Sequence, residues 1–108
     1  MFKRKFKHYV LQADHSITEA PLLQWAEWFE KSENRIIKQD TVGKYFISTV
    51  FIGFENELFE TMIFDNTKDE GKSVYQQRWW TYDDALDNHN HIVNKINEVN
   101  DIEELYDR

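Results

Sequence analysis

FISTVFIGF (Phe46–Phe54) and ELFETMIF (Glu57–Phe64) are the two stretches that decide the fold of this chain. Both are short, apolar and rich in the aromatic and β-branched residues that favour strands. The segment ENE (Glu55–Glu57) between them is short enough to close a hairpin. The pair therefore predicts two antiparallel neighbours in one sheet.

Apolar side chains occupy both faces of this hairpin. In the first strand Phe46, Val50 and Ile52 share one face, and Ile47 and Phe51 share the other. A sheet with one solvated face normally alternates apolar with polar residues, so this pattern predicts a sheet covered on both sides, at least in part. The N-terminal strand, a polar loop, a second subunit or a partner is expected on the face that the helices leave free.

Three further strands and two helices are predicted around the hairpin. The strands are KHYVLQ (Lys7–Gln12), RIIKQ (Arg35–Gln39) and VYQQRWW (Val74–Trp80). The helices, each with an apolar stripe at helical spacing, are TEAPLLQWAEWFEKSE (Thr18–Glu33) and TYDDALDNHNHIVNKINEVN (Thr81–Asn100). Their first threonines are the expected N-caps.

The order of these elements indicates the fold class. A strand, a helix, four strands and a helix predict a single two-layer α+β domain, in which two helices pack on an antiparallel four- to five-stranded meander. This domain covers residues 1–108, and residues 1–6 and 101–108 are expected to be frayed tails.

Composition narrows the classes of function. The absence of cysteine excludes disulfides, thiolate nucleophiles and zinc sites built on cysteine. A net charge of −7 argues against direct nucleic-acid binding and suits docking onto a basic partner. No apolar run reaches the roughly 20 residues of a membrane span, and no signal peptide is recognisable. We therefore expect a protein of the cytosol that does not bind membranes.

Four polar residues suggest a ligand pocket. Thr49 and Glu60 lie within the central strands, Arg78 lies in the last strand, and His89 lies on the apolar stripe of the last helix. One hypothesis places all four between the sheet and the C-terminal helix, where Arg78 binds an anionic group. The alternative is structural, with Glu60 satisfied by an ion pair or a hydroxyl, or exposed on an uncovered sheet face, and His89 donating to a backbone carbonyl in the core.

No motif identifies an enzyme or a metal site. The chain lacks the G-x-S-x-G, P-loop, G-x-G-x-x-G and H-E-x-x-H patterns. His89 and His91, in the string HNH, point in different directions on a helix and are poorly placed to share a metal ion. The sequence therefore predicts no cofactor, no metal and no catalytic residue.

Aromatic and acidic residues suggest a different kind of site, a surface for a partner. Trp79 and Trp80 point to opposite faces of a strand, so one enters the core and the other is free for contact, unless a covering helix takes both. The C-terminal string NDIEELYD adds Asp101, Glu103 and Glu104 as acidic contact residues, or else forms a solvated tail.

Four segments of the chain carry a family resemblance, and they are WAEWFE (Trp25–Glu30), STVFIG (Ser48–Gly53), FETMIF (Phe59–Phe64) and RWWTYDDALDNH (Arg78–His89). In order and spacing they resemble the W-x-x-W-F-E, S-T-V-F-x-G, F-E-T-M-x-F and T-W-x-E-A-x-x-G-H motifs of a family of small proteins encoded by bacteriophages and prophages. The last segment departs from the pattern at Tyr82, Asp84 and Asn88, which stand for Trp, Glu and Gly.

The resemblance implies a phage or mobile-element origin and brings no activity with it. Small acidic proteins of this origin include anti-defence factors, so the first hypothesis is a non-catalytic binder and inhibitor of a host protein, such as an anti-CRISPR inhibitor of a CRISPR-type nuclease. The alternative is a protein that binds a nucleotide or a signal molecule, or a minor enzyme. A third interpretation is a homodimer that covers the second face of the sheet.

Overall fold

The computed structural model describes residues 7–53, 58–68 and 71–99. The elements in these ranges are β1 (His8–Leu11), β2 (Ile17–Ala20), α1 (Leu22–Glu30), α2 (Ser32–Arg35), β3 (Ile36–Val42), β4 (Tyr45–Phe51), β5 (Phe59–Asp65), β6 (Ser73–Trp79) and α3 (Tyr82–Val99). The predicted α+β class with an antiparallel sheet is confirmed. No helix in the described ranges is long and apolar enough to cross a membrane.

The main sheet is a four-stranded antiparallel meander in the order β3-β4-β5-β6. Its central hairpin keeps one register over its whole length, from Tyr45 opposite Asp65 to Phe51 opposite Phe59. Because the strand period is two, this register puts every second residue of both strands on the same face.

Helix α3 packs on one side of the main sheet, which we call the covered face. The helical stripe predicted from the sequence is buried there and includes Ala85, His89, Ile92 and Ile96. The buried strand residues of this face are Tyr45, Ile47, Thr49, Phe51, Phe59, Thr61, Ile63 and Tyr75. Burial of this layer is the main source of stability, at about 25 cal/mol per Å² of apolar surface.

Helix α3 begins as the sequence predicts. The Thr81 hydroxyl accepts a hydrogen bond from the Asp84 backbone N–H at 3.0 Å, which satisfies one of the free N–H groups of the first turn. Asp83 and Asp84 place negative charge at the positive end of the helix dipole. The start of the helix is therefore fixed by local chemistry.

The first predicted helix begins later than its sequence indicates. Thr18 is not an N-cap, because Ile17–Ala20 forms β2 and pairs antiparallel with β1 in a separate two-stranded sheet. Helix α1 starts only after Pro21, whose missing N–H is tolerated in the first turn of a helix. Among the described helices α3 is the one that lies on the main sheet, while α1 packs against β1.

The β1–β2 hairpin joins the main sheet at Gly53. The Tyr9 N–H donates to the Gly53 carbonyl at 2.7 Å, and Gly53 has a φ of 63°. A Cβ at this position would overlap the Tyr9 carbonyl oxygen and lie 2.7 Å from a ring carbon of Phe51. Both the left-handed backbone and the close approach therefore require glycine.

The junction between the hairpin and the main sheet forms its own apolar cluster. Phe51, Phe59 and Ala85 are fully buried there, beneath the first turn of α3. The Trp28 ring of α1 meets the Phe51 ring edge to face at a centroid distance of 5.5 Å. The hairpin and α1 are thereby fixed beside one end of α3.

The other side of the main sheet, which we call the free face, carries half-buried apolar residues. They include Phe46, Val50, Met62 and Phe64. The Phe46 and Phe64 rings lie roughly parallel, with centroids 6.4 Å apart. Because α3 lies on the opposite side and α1 on β1, these residues are shielded partly by one another.

Candidate functional site

A chain of hydrogen-bonded side chains crosses the covered face, and we call it the buried relay (Asp40, His89, Thr49, Thr61 and Trp79). The His89 Nε2 atom lies 2.8 Å from the Asp40 carboxylate, and Nδ1 lies 2.7 Å from the Thr49 hydroxyl. The two threonine hydroxyls lie 2.6 Å apart, and the Trp79 indole N–H donates to Thr61 at 2.9 Å. The relay thus links α3 to all four strands of the main sheet.

The protonation of His89 determines which groups of the relay donate. The Trp79 indole can only donate and the Asp40 carboxylate can only accept, so His89 carries a proton on Nε2 and donates it to Asp40. When the imidazole is neutral, its Nδ1 atom accepts from the Thr49 hydroxyl, and Thr49 in turn accepts from Thr61.

The electrostatics of His89 favour this neutral form. Burial lowers the pKa of His89 below its usual value of 6.5, and the charge of Lys38 acts in the same direction. The hydrogen bond and negative charge of Asp40 oppose the shift without cancelling it. At neutral pH the ring is therefore an uncharged link in the relay.

The relay has the order of a nucleophilic triad but not its accessibility. Asp40, His89 and Thr49 follow one another as acid, imidazole and hydroxyl. Thr49, Thr61 and His89 are 0% exposed, so no substrate reaches the hydroxyl. We conclude that the relay holds α3 on the sheet. This agrees with the structural alternative for His89, except that the ring bonds to side chains and not to a backbone carbonyl.

Glu60 belongs to the free face. Its side chain is 9% exposed, and Oε2 accepts hydrogen bonds from Gln76 at 2.6 Å and from the Arg78 Nε at 3.0 Å. Arg78 is thus the cation of the ion pair that the sequence predicts for this carboxylate. Because the pair is half open to water, it adds little to stability.

The four residues of the predicted pocket form two separate pairs. Thr49 and His89 touch on the covered face, whereas Glu60 and Arg78 pair on the free face. The reason is the strand period, since Glu60 and its neighbour Thr61 point to opposite sides of β5. The hypothesis of one pocket lined by all four residues is corrected accordingly.

The tryptophan pair divides between core and surface, as one of the sequence hypotheses requires. Trp79 is half buried and ends the relay, whereas Trp80 follows β6 and is 60% exposed.

The acidic residues Asp101, Glu103 and Glu104 lie outside the described residues. Within the described ranges no group of three or more histidine, aspartate or glutamate side chains is placed to hold a metal ion.

Three adjacent pockets run along the β1–β2 hairpin, and we call them together the hairpin groove. Their volumes are about 560, 400 and 410 Å³. The first two share Gln12, Trp28 and Asn34, and the last two share His15 and Tyr82. The sequence gives no signal for this groove except Trp80, which lines its last pocket.

The last pocket, which we call the Trp80 pocket, has a rigid aromatic wall. The His15 and Tyr82 rings stack at a centroid distance of 3.9 Å and an angle of 13°. His15 has a left-handed backbone with a φ of 70°, and its N–H donates to the Gln12 carbonyl at 2.9 Å. Non-glycine residues in this region are uncommon and often occur at functional positions.

A charged loop residue completes the Trp80 pocket. Asp14 lines it, and its Oδ1 accepts hydrogen bonds from the Ser16 hydroxyl at 2.6 Å and the Ser16 N–H at 3.0 Å. These bonds lower the pKa of Asp14, so its carboxylate stays ionised at neutral pH. The pocket therefore combines aromatic surface with negative charge.

Comparisons of the chain with protein-family models, with curated proteins and with solved structures find no match. The candidate site is therefore interpreted from its own contacts, burial and charge.

Proposed function

We propose that this chain is a non-catalytic binding protein of phage or mobile-element origin that attaches to a host protein in the cytosol and inhibits it. One observation carries the proposal: the imidazole and the hydroxyl of the triad-like relay are closed off from substrate, whereas a large aromatic side chain is left outside. Thr49 and His89 are fully buried, and Trp80 is 60% exposed at the edge of a groove.

An exposed tryptophan beside a rigid wall is a typical anchor for a protein partner. Tryptophan is enriched among the few interface residues that dominate binding energy. Most of the Trp80 surface is still in contact with water, so a partner gains apolar burial by covering it. The stacked His15–Tyr82 pair is already ordered, which lowers the entropy lost on binding.

The class of host partner follows from the family resemblance. The segments from Trp25 to His89 resemble a family of small proteins of bacteriophages and prophages, and small acidic proteins of this origin include anti-defence factors. A non-catalytic binder inhibits by covering a functional surface of its target. A host defence enzyme, such as a CRISPR-type nuclease, is the target that this origin favours.

The test compares two exposed apolar residues in the tagged full-length chain. Trp80→Ala removes the proposed anchor, and Leu22→Ala is the matched control, because Leu22 is 57% exposed and lines none of the three pockets. Native mass spectrometry of material recovered from a bacterial host lysate should show a bound protein for the wild type and Leu22→Ala. The bound protein should be lost from Trp80→Ala, and added wild-type chain should reduce the partner's activity. Equal capture by all three chains would show that Trp80 is not the anchor, and a captured protein whose activity the wild-type chain leaves unchanged would contradict the proposal.

A small-molecule function is the second candidate, and the middle pocket of the groove favours it. Its volume of about 400 Å³ lies within the range of ligand sites, and Leu11, Trp28, Ile37 and Tyr82 supply apolar walls. This location replaces the one predicted around Glu60 and His89. An added mass of a few hundred daltons in the same measurement would support this candidate.

A further inference from the structure

We infer that the hairpin groove takes a basic segment of the partner protein and that the Trp80 pocket holds one arginine or lysine side chain of that segment. The inference rests on the proposed function. That proposal gives a protein as the partner, and the inference adds the chemistry of the segment that the groove binds.

The charge of the groove is the first observation behind this inference. Its carboxylates are Asp14, Glu27, Glu30, Glu33 and Asp83. Among the described lining residues, Lys31 is the one lysine that opposes them. Because the negative groups are distributed over three adjacent pockets, they match a row of positive charges on an extended segment better than they match one small ion.

The shape of the Trp80 pocket is the second observation. Trp80, Tyr82 and His15 supply aromatic surface, and Asp14 and Asp83 supply negative charge. A guanidinium or ammonium group over an aromatic ring is attracted to the negative face of the ring, and a nearby carboxylate adds charge attraction. This combination is selective for a cation on a partly apolar stem, which is the chemistry of arginine and lysine.

The described walls of the Trp80 pocket supply no positive charge to pair with Asp14 and Asp83. Among the residues that the structure describes, no lysine or arginine lines this pocket. The two bonds from Ser16 both go to Oδ1 of Asp14, so Oδ2 keeps its capacity to accept. An incoming cation therefore meets an accepting oxygen.

The experiment titrates the ¹⁵N-labelled full chain with two synthetic peptides of equal length, one alternating glycine with arginine and the other alternating glycine with glutamate. The arginine peptide should shift the Trp80 indole resonance and the backbone resonances of His15 and Asp83. The glutamate peptide should shift none of them. Shifts confined to residues outside the groove, or no shift with the arginine peptide, would overturn the inference.

Two matched charge substitutions distinguish binding of the arginine peptide at the Trp80 pocket from its general attraction to an acidic chain. Asp83→Asn removes one charge inside the Trp80 pocket, and Glu98→Gln removes one charge about 22 Å away along α3. The Kd for the arginine peptide should rise about 5-fold for Asp83→Asn, and the Glu98→Gln change should stay below about 2-fold. Equal changes would show non-specific attraction and overturn the inference.

The two proposals fail in different ways. If the arginine peptide leaves the groove unchanged while Trp80→Ala still abolishes capture of the host protein, the partner segment is not basic and the proposed function survives. If Trp80→Ala leaves capture unchanged, the Trp80 pocket is not part of the host-protein surface and the inference falls. If the chain captures a host protein and does not inhibit it, the proposed function falls.

Discussion

At the scale of single residues, the polar groups in the middle of the central hairpin have two separate causes. Thr49 and Thr61 face α3 and take part in the relay, whereas Glu60 faces away and is held by Arg78. Ser48 also points away and accepts a hydrogen bond from Gln39 at 3.0 Å. These four polar groups of the central hairpin therefore each have a partner on their own face, as the cost of an unsatisfied group demands.

The buried imidazole makes stability depend on pH. Because the pKa of His89 is lowered in the folded chain, the unfolded chain binds a proton that the folded chain does not as the pH falls through 6.5. The free energy of unfolding should therefore be constant above this value and fall below it, by at most about 1.4 kcal/mol per pH unit. Urea unfolding at a series of pH values between 5 and 8 measures this slope.

Two variants test whether this pH dependence of stability comes from the His89 ring. His89→Gln should lose the His89 contribution to the pH dependence, although it is less stable throughout. His91→Gln should keep it, because His91 is exposed on the outer side of α3. If both variants keep the wild-type slope, His89 does not titrate as the structure requires.

Two of the three glycines with left-handed backbone offer a matched pair of substitutions. Gly53 has a φ of 63° and Gly71 a φ of 81°, but only Gly53 has backbone and side-chain atoms where a Cβ would lie. Gly71→Ala should cost about 1–2 kcal/mol from its backbone conformation alone. Gly53→Ala should cost at least about 2 kcal/mol more, because the hairpin has to move away from β4. Thermal unfolding of both variants measures the difference, and equal losses would contradict the close approach at Tyr9.

At the scale of elements, the position of α3 is set by apolar burial and then fixed by the relay. Isoleucines of the helix pack against Tyr45 and Ile63, a contact that tolerates small shifts along the axis. Hydrogen bonds from His89 to Asp40 and Thr49 tolerate much smaller shifts, because their strength falls steeply with geometry. The relay thus specifies one register of the helix on the sheet.

Removing one hydroxyl tests this role of the relay. Thr49→Val keeps the side-chain shape but leaves the His89 Nδ1 atom without its partner and the Thr61 hydroxyl with the Trp79 indole alone. The expected loss is about 1–3 kcal/mol in the free energy of unfolding. Thr41→Val, on the exposed side of β3, is the control and should change stability by less than about 0.5 kcal/mol. Urea unfolding measures the free energy of unfolding of both variants. Equal losses would contradict a stabilising role for the relay.

The elements also show where prediction from sequence succeeds. The β4–β5 hairpin and α3 were predictable, because their apolar periods of two and 3.6 agree with local turn and cap signals. β2 was not, since Thr18 followed by Glu19 has the form of a helix start. Its pairing with β1, supported by the Gln12 amide on the Thr18 hydroxyl at 2.9 Å, overrides that local preference.

At the scale of the whole molecule, the candidate site is assembled from distant parts of the chain. His15, Trp28 and Tyr82 come from a loop, α1 and α3, and no local pattern indicates that they meet. Only the exposure of one tryptophan in RWWTY was predictable, because adjacent strand residues point to opposite faces. The relay could not be predicted from the sequence either, because its members come together only through the register of β3 against β4.

The layering of the molecule gives the last prediction. Phe46 and Ile47 are neighbours in β4, but Ile47 is fully buried under α3 whereas Phe46 is half buried on the free face. A carboxylate at position 47 has no partner in the core, so Ile47→Asp should cost more than about 4 kcal/mol and unfold the chain. Phe46→Asp should cost about 1 kcal/mol, because its side chain reaches water. Urea unfolding separates the two.

The same Phe46→Asp variant decides whether a second copy covers the free face. If a homodimer buried this face, a carboxylate on each subunit would meet its like at the interface, and size-exclusion chromatography with light scattering would show a dimer turning into a monomer. We expect the wild type and the variant to have the same mass, because the proposed partner surface is the hairpin groove and not the free face. A change of mass would assign the apolar residues of the free face to self-association, and the groove would then be present twice in each assembly.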